Sequence, residues 1–168
     1  MKERVWGLMK LDAIRKEISS LQNIKIISFD CFDTLLHRDC NSEVVLYEWS
    51  KLLSDYLDGV YSPEKIYNTR KKIEIDKKKQ QGVEEMEYNA LIEKLLRELN
   101  VTTNIDQLID YSKKIEVATE IRHINSDEEV KKLVFELKNK GIRLIVISDF
   151  YFGSEMLSQI LNKIGYDN

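Results

Sequence analysis

The sequence predicts an α/β fold that is mostly helical by residue count and is built around a small parallel sheet. Three observations lead there. Two short runs rich in β-branched residues, 24–29 (IKIISF) and 142–148 (IRLIVIS), each end on polar side chains, the pattern of buried parallel strands. Most of the remainder repeats its apolar residues every three or four positions, which is the helical period. The segment 127–139, just ahead of the second run, is itself helical and supplies the crossover that two parallel strands require.

Taken in order, Leu8, Leu11, Ile14 and Ile18 predict an opening helix that ends near Gln22. Trp6 belongs to the same helix, which is expected to pack on its own core rather than on a membrane surface. After the first strand, Val45, Trp49, Leu52, Leu53 and Tyr56 mark a second helix. Ser62-Pro63-Glu64 starts a third: serine caps free N–H groups and proline fits the first turn. Ile66, Tyr67 and Ile73 carry that helix into the charged run 71–82 (KKIEIDKKKQQG), read as a solvated helix end. Tyr88, Leu91, Ile92, Leu95, Leu96 and Leu99 make the cleanest amphipathic face, and Leu108, Tyr111, Ile115 and Ala118 make another. Ser126 and Glu129 predict a capping box ahead of Val130, Leu133, Val134 and Leu137, with Gly141 at the far end. Leu157, Ile160, Leu161 and Ile164 predict a last helix that Gly165 closes.

Composition excludes several classes. The 168 residues fit one ordinary domain, or a core with one large insertion. Lys and Arg number 26 against 29 Asp and Glu, a net charge of −3, so there is no electrostatic case for nucleic acid. No run approaches the roughly 18 apolar residues that span a bilayer, and the N-terminus lacks the apolar core of a signal peptide. Cys31 and Cys40 have no CxxC partner, so reduced thiols in a cytoplasmic protein are expected.

The chemistry gathers where the strands end. Residues 26–38 (IISFDCFDTLLHR) break from an apolar run onto Asp30, Asp33 and Thr34. Two such acids are either turn formers or catalytic groups. The second strand ends VISDF, which puts the Ser148 hydroxyl and the Asp149 carboxylate at the corresponding point. Ligands of open parallel sheets bind outside the carboxyl ends of the strands. A carboxylate nucleophile, a hydroxyl for phosphate oxygens and a threonine four residues past the nucleophile make a phosphoryl-transfer set.

These residues resemble the haloacid dehalogenase (HAD) superfamily. Its first motif, a strand ending Asp-x-Asp-x-Thr, is similar to Asp30-Cys31-Phe32-Asp33-Thr34, and its second, a strand ending in Ser or Thr, to Ile147-Ser148-Asp149. The variant FDxFDT with SDxY resembles a bacterial subgroup of HAD hydrolases. The resemblance implies a HAD-like Rossmannoid core over 1–39 and 126–168, with a helical C1-type cap over 40–125. It implies hydrolysis of a small phosphorylated metabolite, a sugar or a nucleotide, through an aspartyl-phosphate. In that scheme Asp30 is the nucleophile, and Thr34 and Ser148 orient and bind oxygens. Asp149 either helps order the substrate site around Ser148 or caps the turn into the last helix, and Arg38 either meets a substrate phosphate or makes a salt bridge at the hinge into the cap. Mg2+ is held by Asp30 and the Phe32 backbone carbonyl.

Two departures bear on that scheme. With Asp30 as nucleophile, Thr34 falls correctly at plus four, but Phe32 occupies plus two, where the family's phosphatases carry an acid–base aspartate. Asp33, one residue along, either takes over that role or serves as a turn carboxylate. Dehalogenases of the family carry a non-acidic residue at plus two, because a halide leaves without a proton. The family's later lysine and acidic motifs have no counterpart before Asn168, so this chain is expected to be a truncated, inactive form that binds Mg2+ weakly and exposes a strand edge to a second copy, as a homodimer or strand swap. A 2-haloacid dehalogenase and a non-catalytic HAD-like binding module are the alternatives.

Overall fold

The structure, a computed structural model, describes residues 2–21, 23–81, 86–150 and 152–166, with the backbone alone for 2–10, 78, 80 and 81. The expected helix end at Gln22, the side chains of Trp6 and Leu8, and Gly82, Tyr151 and Asn168 lie outside this description. In chain order the elements are α1 (Lys2–Ser20), β1 (Ile26–Asp30), β2 (Leu36–Arg38), α2 (Ser42–Tyr56), α3 (Pro63–Gln81), α4 (Tyr88–Glu98), α5 (Ile105–His123), β3 (Ile124–Ser126), α6 (Glu128–Asn139), β4 (Arg143–Ile147) and α7 (Ser154–Lys163). They form two compact units, residues 1–37 with 125–149 and residues 38–124 with 150–168. Residues 150–168 thus group with the helices, whereas the sequence reading put them in the core. The reason is that α7 packs on α5, with Met156 and Ile160 buried.

In the first unit β1 and β4 pair in parallel, Ile26 opposite Arg143 through Asp30 opposite Ile147. The Arg143 N–H extends the ladder to the Lys25 carbonyl at 2.9 Å. The strands run 26–30 and 143–147 rather than 24–29 and 142–148. They are also far less buried than expected: Ile26 is 53% exposed and Ile147 60%. A parallel sheet normally has helices on both faces, and among the described residues this one has two strands, with α6 packed on β4 and on α1. Leu133 and Leu137 are the buried residues of α6.

The α6 cap is Asp127, whose carboxylate accepts from the Glu129 and Val130 N–H groups at 2.8 and 3.1 Å. The expected Ser126 cap fails because Ser126 is the last residue of β3, and its hydroxyl donates to Glu128 instead. Strands β2 and β3, which pair antiparallel where the chain passes between the units, were not anticipated. Three residues are too few to display the alternation that identifies a strand.

The second unit has a dense apolar core. Trp49, Leu53, Ile66, Ile92, Leu95 and Leu96 are fully buried. All six residues of the expected α4 face are buried, and the Glu87 side chain caps that helix on the Ala90 N–H. The expected α5 face is only half right. Leu108 and Ile115 are buried, but Tyr111 stacks on the exposed Tyr56 at 3.8 Å and Ala118 faces outward. The buried face of α5 instead carries Ser112, Glu116, Thr119 and Glu120.

Glu116, Thr119 and Glu120 are held by partners, while the buried Ser112 hydroxyl has none among the described residues. Arg70, with no exposed surface, forks onto Glu116 at 2.8 and 2.7 Å and reaches Glu74 at 3.1 Å. The Tyr88 hydroxyl donates to Glu116 at 2.6 Å, and the guanidinium lies 4.4 Å from the centre of the Trp49 ring. A buried charge pair is tolerated when its remaining hydrogen-bonding capacity is satisfied in this way.

Candidate active site

The candidate site belongs to the first unit and is built at the carboxyl ends of β1 and β4. The ladder ends with Asp30 beside Ile147, so Ser148 and Asp149 begin where Asp30 stands. Beyond β1 the chain turns tightly. The Leu35 and Leu36 N–H groups both donate to the Cys31 carbonyl, at 2.8 and 3.0 Å, and the Asp33 N–H donates to the Leu36 carbonyl at 2.7 Å. Cys31, Leu35 and Leu36 are buried at 0%, 2% and 0% exposure, so apolar burial anchors the turn while its polar residues stay accessible. Cys31 is thereby a small buried filler, as its apolar neighbours lead one to expect.

That turn brings Thr34 back to Asp30: the threonine hydroxyl donates to Asp30 Oδ2 at 3.2 Å. One carboxylate oxygen is thus oriented by a neighbour four residues away. Asp33 sits at the bend with φ of +59°, a left-handed conformation that aspartate tolerates better than most residues, and it is exposed. Phe32, two residues past Asp30, is half-buried and bridges to Leu36. Ser148 is half-buried and Asp149 exposed.

Asp30 and the Phe32 carbonyl were expected to hold Mg2+. A hard cation needs six or so oxygens, and Asp30, Asp33 and Asp149 do not converge on a common point among the described residues. These three carboxylates alone do not make up a Mg2+ shell.

Arg38 lies in the second unit, where Nε and Nη2 each donate to Glu120 at 2.9 Å. Its Cζ is 5.1 Å from the centre of the Phe150 ring. The same unit has a pocket of about 130 Å³ lined by Arg38, Trp49, Arg70, Glu116, Glu120 and Phe150. Both of its arginines carry carboxylate partners, so it offers an incoming anion little uncompensated positive charge.

Sequence reasoning passed over one further cluster. Asp39, Cys40 and His123 come together in the second unit. His123 faces Glu48 through Nε2 at 3.1 Å and Asp39 through Nδ1 at 3.0 Å. The hydrogen bond to Glu48, and then the one to Asp39, raise the imidazole pKa above its usual value. Burial, and then the Asp39 charge, push the Cys40 thiol up. The two segments are 84 residues apart, and no local pattern joins them.

Among the described residues no helix is long and apolar enough to cross a membrane. No protein-family model matches the chain, and no curated protein matches it.

Proposed function

We propose that the chain carries the site of a HAD-type hydrolase, a phosphatase that acts on a small phosphorylated metabolite, such as a sugar or nucleotide phosphate, through an aspartyl-phosphate on Asp30. The observation that carries this reading is the Thr34 hydroxyl bonded to the Asp30 carboxylate at the same sheet edge where Ser148 begins. A carboxylate is a weak nucleophile, and fixing one of its oxygens orients the other for in-line attack. In this reading the free oxygen of Asp30 attacks phosphorus, the bond to the leaving oxygen breaks, that oxygen takes a proton from water, and Ser148 donates to a phosphoryl oxygen. Water then releases phosphate and restores the carboxylate. The helical unit, inserted between the two strands in sequence, takes the role of substrate-selecting cap. Mg2+ is assigned no step.

Phe32 determines which substrates suit the site. With no acid at plus two, leaving groups that depart without a proton are favoured. p-Nitrophenyl phosphate meets that condition, and turnover in the presence of Mg2+ is expected to fall by at least about a thousandfold in Asp30→Asn. The second reading, a non-catalytic HAD-like binding module, draws support from Phe32, which leaves plus two without an acid. Phosphate binding without turnover of any phosphoester, in wild type and variant alike, decides for it. The exposed side chains of Ile26, Ile145, Val146 and Ile147 further support pairing of this sheet with a second copy, and a clean monomer in gel filtration argues against that pairing.

A further inference from the structure

The cluster of Asp39, Cys40 and His123 has the composition of a transition-metal site, and the proposed hydrolase chemistry leaves it unused. One thiol sulfur, one imidazole nitrogen and one carboxylate oxygen all lie within 4.8 Å of one another. Tetrahedral zinc, with bonds of 2.0–2.3 Å, sets its ligand atoms about 3.3–3.7 Å apart, so side-chain rotation of roughly an ångström closes the set. Asp39 is 53% exposed at its side chain and His123 20%, which leaves both room to adjust and a path in from solvent.

Two further observations bear on the assembly. The Asp39 N–H donates to the His123 carbonyl at 2.9 Å, so the backbones that carry the ligands are already held together. Glu48 Oε2 stands 3.1 Å from His123 Nε2, and Arg122 approaches the same oxygen at 3.9 Å. A carboxylate on the far ring nitrogen is the usual partner of a metal-bound histidine, because it fixes the tautomer and turns the other nitrogen toward the ion. Here that other nitrogen is Nδ1, on the Asp39 side.

We propose that Asp39, Cys40 and His123 bind a Zn2+-class cation through a carboxylate oxygen, Sγ and Nδ1, with water in the fourth position and Glu48 orienting the imidazole. Thiolate and imidazole donors select a borderline ion of this kind over Mg2+ or Ca2+, which take oxygen. The thiol proton is released on binding. The ion pins the segment after β2 to the C-terminus of α5, the two points where the chain enters and leaves the helical unit. This site is independent of the Asp30 chemistry.

The test uses the full 168-residue chain with reduced thiols, titrated with Zn2+ alone and, for spectroscopy, with Co2+. One equivalent is expected to bind, with a thiolate-to-cobalt charge-transfer band and the strong visible absorption of tetrahedral cobalt. Cys40→Ser is expected to remove the charge-transfer band, and Glu48→Gln to weaken affinity about tenfold or more. Asp30→Asn is expected to bind as wild type does. Zn2+ is also expected to slow alkylation of Cys40 in the wild-type chain, a readout that stands even if a variant folds poorly. No charge-transfer band, a band that persists in Cys40→Ser, or alkylation indifferent to Zn2+ overturns the proposal.

Discussion

The two units solve burial in opposite ways. The helical unit encloses Trp49, Leu53, Ile92 and Leu95, and even a complete ion pair, Arg70 with Glu116. The α/β unit leaves Ile145, Val146 and Ile147, three consecutive β4 residues, 38–60% exposed. Alternate residues of a strand point to opposite faces, so exposed β4 side chains stand on both faces of that sheet. The difference teaches where each property resides. Packing that resists unfolding is concentrated in α2–α5, while the candidate chemistry is displayed at the end of a thinly covered sheet, on a turn that Cys31, Leu35 and Leu36 anchor.

The sharpest way to break this contrast is to unpair the buried charge. Glu116→Ala leaves Arg70 in the core without its bidentate partner, and the expected loss is about 3–5 kcal/mol, read as a lower denaturant midpoint. Next comes one substitution made twice. Ile92→Ala, at a position with no exposed surface, is expected to cost about 2–5 kcal/mol, whereas Ile147→Ala is expected to cost less than about 0.5 kcal/mol. Equal losses at the two positions would show that the sheet is buried in solution. The smallest effect on stability belongs to Thr34→Val. Its hydrogen bond to Asp30 is solvent-exposed, so the unfolding midpoint should hardly move. Phosphoester turnover should still fall about ten- to a hundredfold, because a hydrogen bond to a charged group is worth about 1.5–3 kcal/mol.

What could be read from the sequence follows the range of each interaction. Helix α4 was legible in full because six apolar residues at helical spacing all face one core. Helix α5 was not, since its buried face carries Glu116 and Glu120, acceptable only because Arg70 and Arg38 arrive from distant segments. Arg70 itself carries no local signal. Asp30 with Thr34 is a contact four residues long and lies within reach of pattern reasoning. Asp39 and Cys40 with His123 are not, since that juxtaposition depends on the return of the chain after α5. The strands were placed to within two residues, but their exposure was misjudged, because β-branched composition reports strand preference and says nothing of how many neighbours will cover the sheet.

The central claim is that Asp30 is a nucleophile, and chemical trapping tests it most directly. Borohydride added during reaction with p-nitrophenyl phosphate reduces an aspartyl-phosphate to homoserine, which peptide mass spectrometry assigns to a single residue. The account predicts homoserine at position 30 in the wild-type chain and none in Asp30→Asn. Homoserine at Asp33 instead, or at no aspartate, would contradict it.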